Sequence, residues 1–242
     1  MSELAAMPED WTKALAIVAH PDDMEYGAAA AVARWTRAGR EVAYLMVSRG
    51  EAGIDTMSPE ACAPVRDAEQ RASAAVVGVT SVEFLDHPDG VIEAGVPLRR
   101  DLAAAIRRHR PELVITLNRR DHFMPGNWNS ADHRAVGESV LDAVNDAGNR
   151  WIFPDQVAEG LEPWGGVRWV ALAASPEATH AVDVTDSIEL GVASLLEHRA
   201  YITALTDEDP ETYARDLLTG FAAGVGERFG TQYATTFELI NF

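Results

Sequence analysis

Cysteine occurs once in this 242-residue chain, as Cys62, and lysine occurs once, as Lys13. A lone cysteine excludes an internal disulfide and a metal cage built from several thiolates. Positive charge is scarce as well: 20 Lys and Arg stand against 38 Asp and Glu, for a formal net charge of −18. Nucleic acid and anionic bilayers recruit clustered cations to neutralise phosphate, so neither is an expected partner. The lack of lysine fits a compositional bias of the source, and the acidity also fits a halophilic one. No apolar run reaches the roughly 18 residues that a membrane span needs. Residues 1–10 have neither the basic stretch nor the apolar core of a secretion signal, so a cytoplasmic enzyme is the expectation. Hydrophobic content of 47% is enough for a soluble domain with a substantial core.

Hydrophobic periodicity then gives an order of elements. Residues 14–19 and 42–47 read as buried strands, and residues 25–38 between them as a helix ended by Gly39. Residues 65–77 read as a helix with Gly78 as its stop, and residues 82–85 as a third strand. Leu98, Leu102, Ala105 and Ile106 share one helical face before the break at Pro111. Residues 113–117 form a fourth strand, and Val136, Val140 and Val144 stripe the helix after it. From Trp151 the pattern changes: short strands at 169–173 and 180–184 precede a helix over 187–204, and the segment after Pro210 carries no clear pattern. Alternating strands and helices predict an α/β fold, a mostly parallel Rossmann-like sheet flanked by helices. We expect one domain over residues 1–242, with the sheet-and-helix core at about 12–150 and a smaller C-terminal extension at 151–242. Ligands in such folds bind beyond the carboxyl ends of the strands.

The loop after the first strand reads Ala19-His20-Pro21-Asp22-Asp23-Met24-Glu25. A dinucleotide-binding protein would place a glycine-rich phosphate loop here. Instead there are an imidazole and two carboxylates, both good zinc ligands. One aspartate can ligate while the other addresses a water on the metal. The competing role for the aspartates is capping the next helix.

These residues resemble the LmbE-like, or PIG-L, family of zinc-dependent N-deacetylases, which act on N-acetylglucosaminyl-phosphatidylinositol and in mycothiol and bacillithiol synthesis. The resemblance runs to about Thr203. It rests on His20-Pro21-Asp22-Asp23 with Glu25 and Gly27, on Ser48 to Gly53, on Arg66 and Glu69, on Phe84-Leu85-Asp86 with Asp89-Gly90, on Asp132 to Gly137, and on Val182 to Thr185. The first and fifth of these are the specific blocks. The resemblance implies that His20, Asp23 and His133 hold the metal, leaving an open position for water, and that Asp22 is the general base. Zinc is the implied cofactor, and ferrous iron suits the same ligands. Relatives carry a further histidine where this chain has Ser130, so His122, Asn127 or Asn129 in the same loop become candidates for its role.

Other residues carry two roles each at this stage. Arg66 and Asp89 are candidates for substrate contacts, against a structural ion pair and a turn. Glu51 can orient a ligand or the substrate. Asp132 can orient its neighbour His133 or cap a helix. Trp128 can stack on a sugar ring. His198, His109 and His180 read as structural. The implied reaction is hydrolysis of an N-acyl, chiefly N-acetyl, amide on a small polar, sugar-like substrate. A zinc amidase acting on a thiol conjugate or an acylated natural product, and a non-catalytic binding protein of the same fold, are the alternatives. A base beside a metal argues against the last. A homo-oligomer stays open.

Overall fold

The computed structural model describes residues 3–124 and 126–242. Its elements are β1 (Ala5–Ala6), β2 (Lys13–Val18), α1 (Asp23–Gly27), α2 (Ala29–Arg37), β3 (Glu41–Met46), α3 (Pro59–Val76), β4 (Ser81–Phe84), α4 (Val96–His109), β5 (Leu113–Leu117), β6 (His122–Met124), β7 (Asn127–Trp128), α5 (Ala131–Gly148), α6 (Pro154–Ala158), β8 (Trp169–Ala173), β9 (His180–Asp183), α7 (Ile188–Leu196), α8 (Arg199–Leu205), α9 (Pro210–Phe229) and β10 (Ala234–Asn241). Eight strands form one sheet in the order β1-β9-β10-β8-β5-β2-β3-β4, and β6 and β7 form a separate hairpin. Among the described strands of the large sheet, only β10 runs antiparallel to its neighbours.

The central strands are buried along their length because helices cover both faces. Alternate side chains feed two cores. Ala16, Val18, Tyr44, Ile115 and Phe237 point to one, and Leu15, Ile17, Leu45, Val114 and Val170 to the other. Each fully buried Leu or Ile contributes roughly 1.5–3 kcal/mol.

Two helices expected to be continuous are broken. The 25–38 segment splits at Ala28 (φ −153°), just after Gly27. A Cβ on Gly27 would stand 3.2 Å from Ala173 Cβ and from Leu117 Cδ2, so the helix lies too close to the sheet for a side chain there. The 187–204 segment splits at Glu197 and His198 into α7 and α8. The segment after Pro210, which has no clear sequence pattern, is a helix capped by Asp209 and then β10. Residues 151–242 thus supply β8, β9 and β10 to the same sheet. Strands β2, β3, β4 and β5 are mutually parallel, so the loops that follow them meet at one edge.

Candidate metal centre and base

His20, Asp23 and His133 converge at that edge, each offering a ligand atom within 4.8 Å of the others. Asp23 Oδ1 lies 3.0 Å from His133 Nε2, and Asp23 Oδ2 lies 3.6 Å from His20 Nδ1. Asp23 Oδ2 also accepts from the His20 backbone N–H at 2.8 Å, which ties the loop to itself.

Whether a cation fits is decided by the far side of each ring. His20 Nε2 faces Asp89 Oδ1 at 3.1 Å and Asp132 Oδ2 at 3.2 Å. His133 Nδ1 faces Asn129 Oδ1 at 3.0 Å, and the Asn129 amide cannot be turned round, since its Nδ2 donates to the Asn118 and Arg120 carbonyls. All these partners are acceptors, so the outer nitrogens carry the protons. The inner nitrogens, His20 Nδ1 and His133 Nε2, lie 3.2 Å apart beside a carboxylate, where each can turn a lone pair to a shared cation. Three electron-rich atoms so placed suit a divalent cation. Burial works against the charge on Asp23, but His133 and His20 outweigh it and hold the carboxyl far below its usual range.

Asp22 goes elsewhere. Its backbone is left-handed (φ 88°), a conformation costing a non-glycine residue about 1–2 kcal/mol. Its side chain makes no cap bond to the helix it precedes. Instead Asp22 Oδ2 accepts from Arg66 Nη2 at 2.8 Å, and the pair is sealed, with side chains 7% and 2% exposed. Arg66 also donates to the Pro21 carbonyl and lies under the ring of Tyr201, 4.0 Å from its centroid. Gly50 makes room for this: in its left-handed conformation (φ 64°), a Cβ would be 2.9 Å from Pro21 Cδ and 3.1 Å from Arg66 Nε. Burial pushes the Asp22 carboxyl above the ordinary aspartate range; Arg66 opposes that shift and the Asp23 charge adds to it.

A family model described as PIG-L, GlcNAc-PI de-N-acetylase, matches residues 15–144. The chain belongs to the PIG-L family. It is accordingly a metal-dependent hydrolase of a carbon–nitrogen bond, a deacetylase by class. A diacetylchitobiose deacetylase of Thermococcus kodakarensis is 26% identical over 226 residues, covering 91% of this chain and 81% of that protein. The 1D-myo-inositol 2-acetamido-2-deoxy-alpha-D-glucopyranoside deacetylase of Kineococcus radiotolerans is 30% identical over 185 residues, 62% of this chain and 48% of that one. The structure of the N,N'-diacetylchitobiose deacetylase from Pyrococcus horikoshii superposes with a TM-score of 0.85 at 26% identity, covering 96% of this chain and 85% of that one. The fold by itself does not fix the reaction, since the 4-carboxy-2-hydroxymuconate hydratase of Pseudomonas putida shares it at 21% identity and a TM-score of 0.73.

Within this PIG-L site, several residues stand where the sequence did not put them. Asp132 orients a histidine, but it is His20 and not its neighbour His133; it also accepts from the Gly90 and Ile92 amides at 2.7 and 3.1 Å. Successive helix residues point about 100° apart, so Asp132 and His133 face different partners. Asp89 spends its carboxylate on His20 and on the Ala52 amide, at 2.8 Å. Glu51 accepts from the Asp89 and Arg49 amides and so shapes the loop that carries Asp89. Arg66, 1% exposed, is committed to Asp22 and closed to a substrate oxygen. Ser130 is the N-cap of α5, accepting from the Asp132 amide at 3.2 Å, so its hydroxyl is occupied by the helix.

His122 is exposed and stacks edge-on against Trp128, 5.2 Å between centroids. Its neighbour Phe123 is the hairpin residue that meets the His133 ring, at 5.6 Å. The ladder is irregular between His122 and Met124, so strict alternation does not apply here, and the contact the His122 ring makes is with Trp128. Trp128 is 65% exposed, with the Arg134 guanidinium 4.8 Å from its ring. His109 pairs with Glu83, while His198 is fully buried against Glu25. Sequence reasoning missed Phe123 and Gln70, and weighed Asn129 only as a stand-in for a histidine. A polar side chain four residues before the candidate ligand His133 is the signal the sequence offers for Asn129.

Proposed function

We propose that this chain hydrolyses the N-acetyl amide of a small, polar, sugar-like substrate, with zinc held by His20, Asp23 and His133 and with Asp22 as the general base. The observation that carries the reading is the convergence of two imidazole nitrogens on one point beside Asp23, with a second carboxyl next to it on the chain but outside the ligand set. Two nitrogens and a carboxylate are a donor set for catalytic zinc, and ferrous iron accepts the same set.

A cation held there would supply Lewis acidity, lowering the pKa of a water to roughly 7 and polarising the amide carbonyl. The protein's own groups do the rest. Asp89 and Asp132 hold the His20 proton on Nε2, and Asn129 holds the His133 proton on Nδ1, so both inner nitrogens stay free to ligate. Asp22 accepts a proton from the attacking water and returns it to the nitrogen that departs, giving acetate and a free amine. Its raised pKa suits a group that must both take and give a proton. The sugar-like substrate is supported by the two relatives, one a deacetylase of diacetylchitobiose and the other of an acetamido-deoxyglucopyranoside. A free metabolite is favoured over a lipid-linked one because the −18 charge repels anionic bilayers. No helix of the described residues is long and apolar enough to cross a membrane.

The test is metal analysis of the purified protein together with acetate release from a panel of N-acetylated amino sugars, free and lipid-linked in anionic vesicles. One zinc or iron per chain and turnover of a free acetamido sugar are expected. No acetate from any sugar by the zinc- or iron-loaded protein would overturn the reading, and turnover of the lipid-linked sugars alone would overturn the free-metabolite part.

A further inference from the structure

Behind Asp22 lies a buried polar cluster that takes no part in the chemistry above. It draws on four segments: Glu25 from α1, Gln70 and Ser73 from α3, Ser194 from α7, and His198 from the break before α8. Glu25 and His198 are both fully buried, with His198 Nε2 3.5 Å from Glu25 Oε2. Glu25 Oε1 accepts from Ser73 Oγ at 2.6 Å and from Gln70 Nε2 at 3.2 Å. Ser194 Oγ lies 2.8 Å from Ser73 Oγ.

The cluster is poorly explained as a stabilising device. Taking a carboxylate and an imidazole out of water costs free energy that their mutual attraction does not reliably recover, so buried pairs are weak evidence for stability. Here the satisfaction is incomplete: Glu25 Oε2 and both His198 ring nitrogens have no hydrogen-bond partner among the described residues. What the cluster does have is a hydrogen-bonded link toward the site. The Gln70 amide faces Glu25 with its nitrogen, and with its oxygen accepts from the Asp22 backbone N–H at 2.8 Å. The Glu25 bond fixes which end of the amide is which, so an oxygen is always presented to Asp22. Asp22 is the residue held in the left-handed conformation. Its backbone N–H is turned into the protein by that twist, and Gln70 is the partner it meets there. Arg66 then fixes the carboxylate end of the same residue. Backbone and side chain are each held by one α3 residue, four positions apart and so on one face of that helix.

We propose that Gln70, oriented by the buried Glu25–His198 pair, is a positioning residue that holds Asp22 in its left-handed conformation and so aims the base. The proposal rests on the assignment of Asp22 as the base, and the experiment separates the two. Gln70→Met keeps the volume and removes both hydrogen bonds. It is measured in the wild-type and in the Asp22→Asn backgrounds, by single-turnover rates, KM, bound metal and circular dichroism. In the wild-type background kcat should fall about 10–100-fold, the usual cost of losing an orienting partner, with KM and metal content unchanged. In the Asp22→Asn background the same change should cost less than about twofold, because a residue that acts only through Asp22 has nothing left to aim.

An equal loss in both backgrounds, or an unchanged kcat in the first, overturns the proposal. Full activity of Asp22→Asn itself would overturn the base assignment and leave no role for Gln70 to support. If Gln70→Met does not fold, Gln70→Asn enters the same cycle with the same expectations, since its amide stops one methylene short of Asp22.

Discussion

The two halves of the site handle burial in opposite ways. On the metal side the rings of His20 and His133 remain 19% and 13% exposed, and their outer nitrogens are held by Asp89, Asp132 and Asn129. On the base side Asp22 and Arg66 are sealed from solvent. A metal must exchange water and substrate, so its ligands need an open front and a fixed back. A base must keep its direction and an elevated proton affinity, which burial supplies. Burial does not separate the consecutive aspartates, since each is 5% exposed; their neighbours do, with two imidazoles holding Asp23 far below its usual pKa while burial outweighs Arg66 and pushes Asp22 above it.

The contrast can be broken at either aspartate. Asp23→Ala removes a ligand and should leave the protein without bound metal and without measurable turnover, as checked by mass spectrometry beside an acetate assay. Asp22→Asn should retain full metal and lose about 10²–10⁴-fold in single-turnover rate, the usual worth of a positioned base. If both variants lost metal, or both kept it, the division of labour would be wrong. Arg66→Met tests the sealed side. It strands the Asp22 charge in a buried setting and should cost roughly 3–5 kcal/mol of stability, read from urea unfolding. A loss below about 1 kcal/mol would mean that Asp22 relaxes toward solvent.

Finer tests address the backing of the metal side. Asp132→Asn should weaken metal binding about 10–100-fold by loosening His20, and should lower the unfolding midpoint of the metal-free protein as well, since one of the Gly90 and Ile92 amides loses its acceptor. Unchanged metal affinity would leave Asp89 as the sole support of that ring. The smallest effect is expected at His122, which is exposed and packs on Trp128. His122→Ala should change kcat by less than about twofold, and a tenfold loss would show that the hairpin turns over to bring His122 to the centre.

The proposed metal triad and the proposed base Asp22 stand out in the sequence because they sit in short blocks next to buried strands, and the structure brings His20, Asp23 and His133 together. The strand-helix alternation also placed β2, β3, β5 and α5 closely. What escaped depends on partners far apart in the chain. Gln70 meets Asp22 across 48 positions and His198 meets Glu25 from another helix, and neither residue belongs to a local pattern. Asp132 was placed with its neighbour because they adjoin in sequence, whereas helical geometry sends it to His20. The close approach of Gly27 to Ala173 and Leu117 is likewise a contact between distant segments, of which helix propensity carries no trace. Strand β10 mixes buried and half-exposed residues without regular alternation, so its periodicity is faint.

Strand β10 has one more consequence, for the order in which the molecule can be made. It lies between β8 and β9, pairing Phe237 with Ala173 on one side and Thr236 with Ala181 on the other. Strands β8 and β9 are therefore not neighbours, although they follow each other in sequence, and β9 with β1 joins the sheet only through β10. As a chain leaves the ribosome, β2, β3, β4, β5 and β8 can pair while later residues are still being added. The site edge built on β2 to β5 can thus take shape early. The β9 half must wait, its strand edges unpaired and open to wrong partners, until residues 234–241 emerge. Deleting those eight residues should therefore yield an aggregation-prone chain whose active-site half is nearly intact.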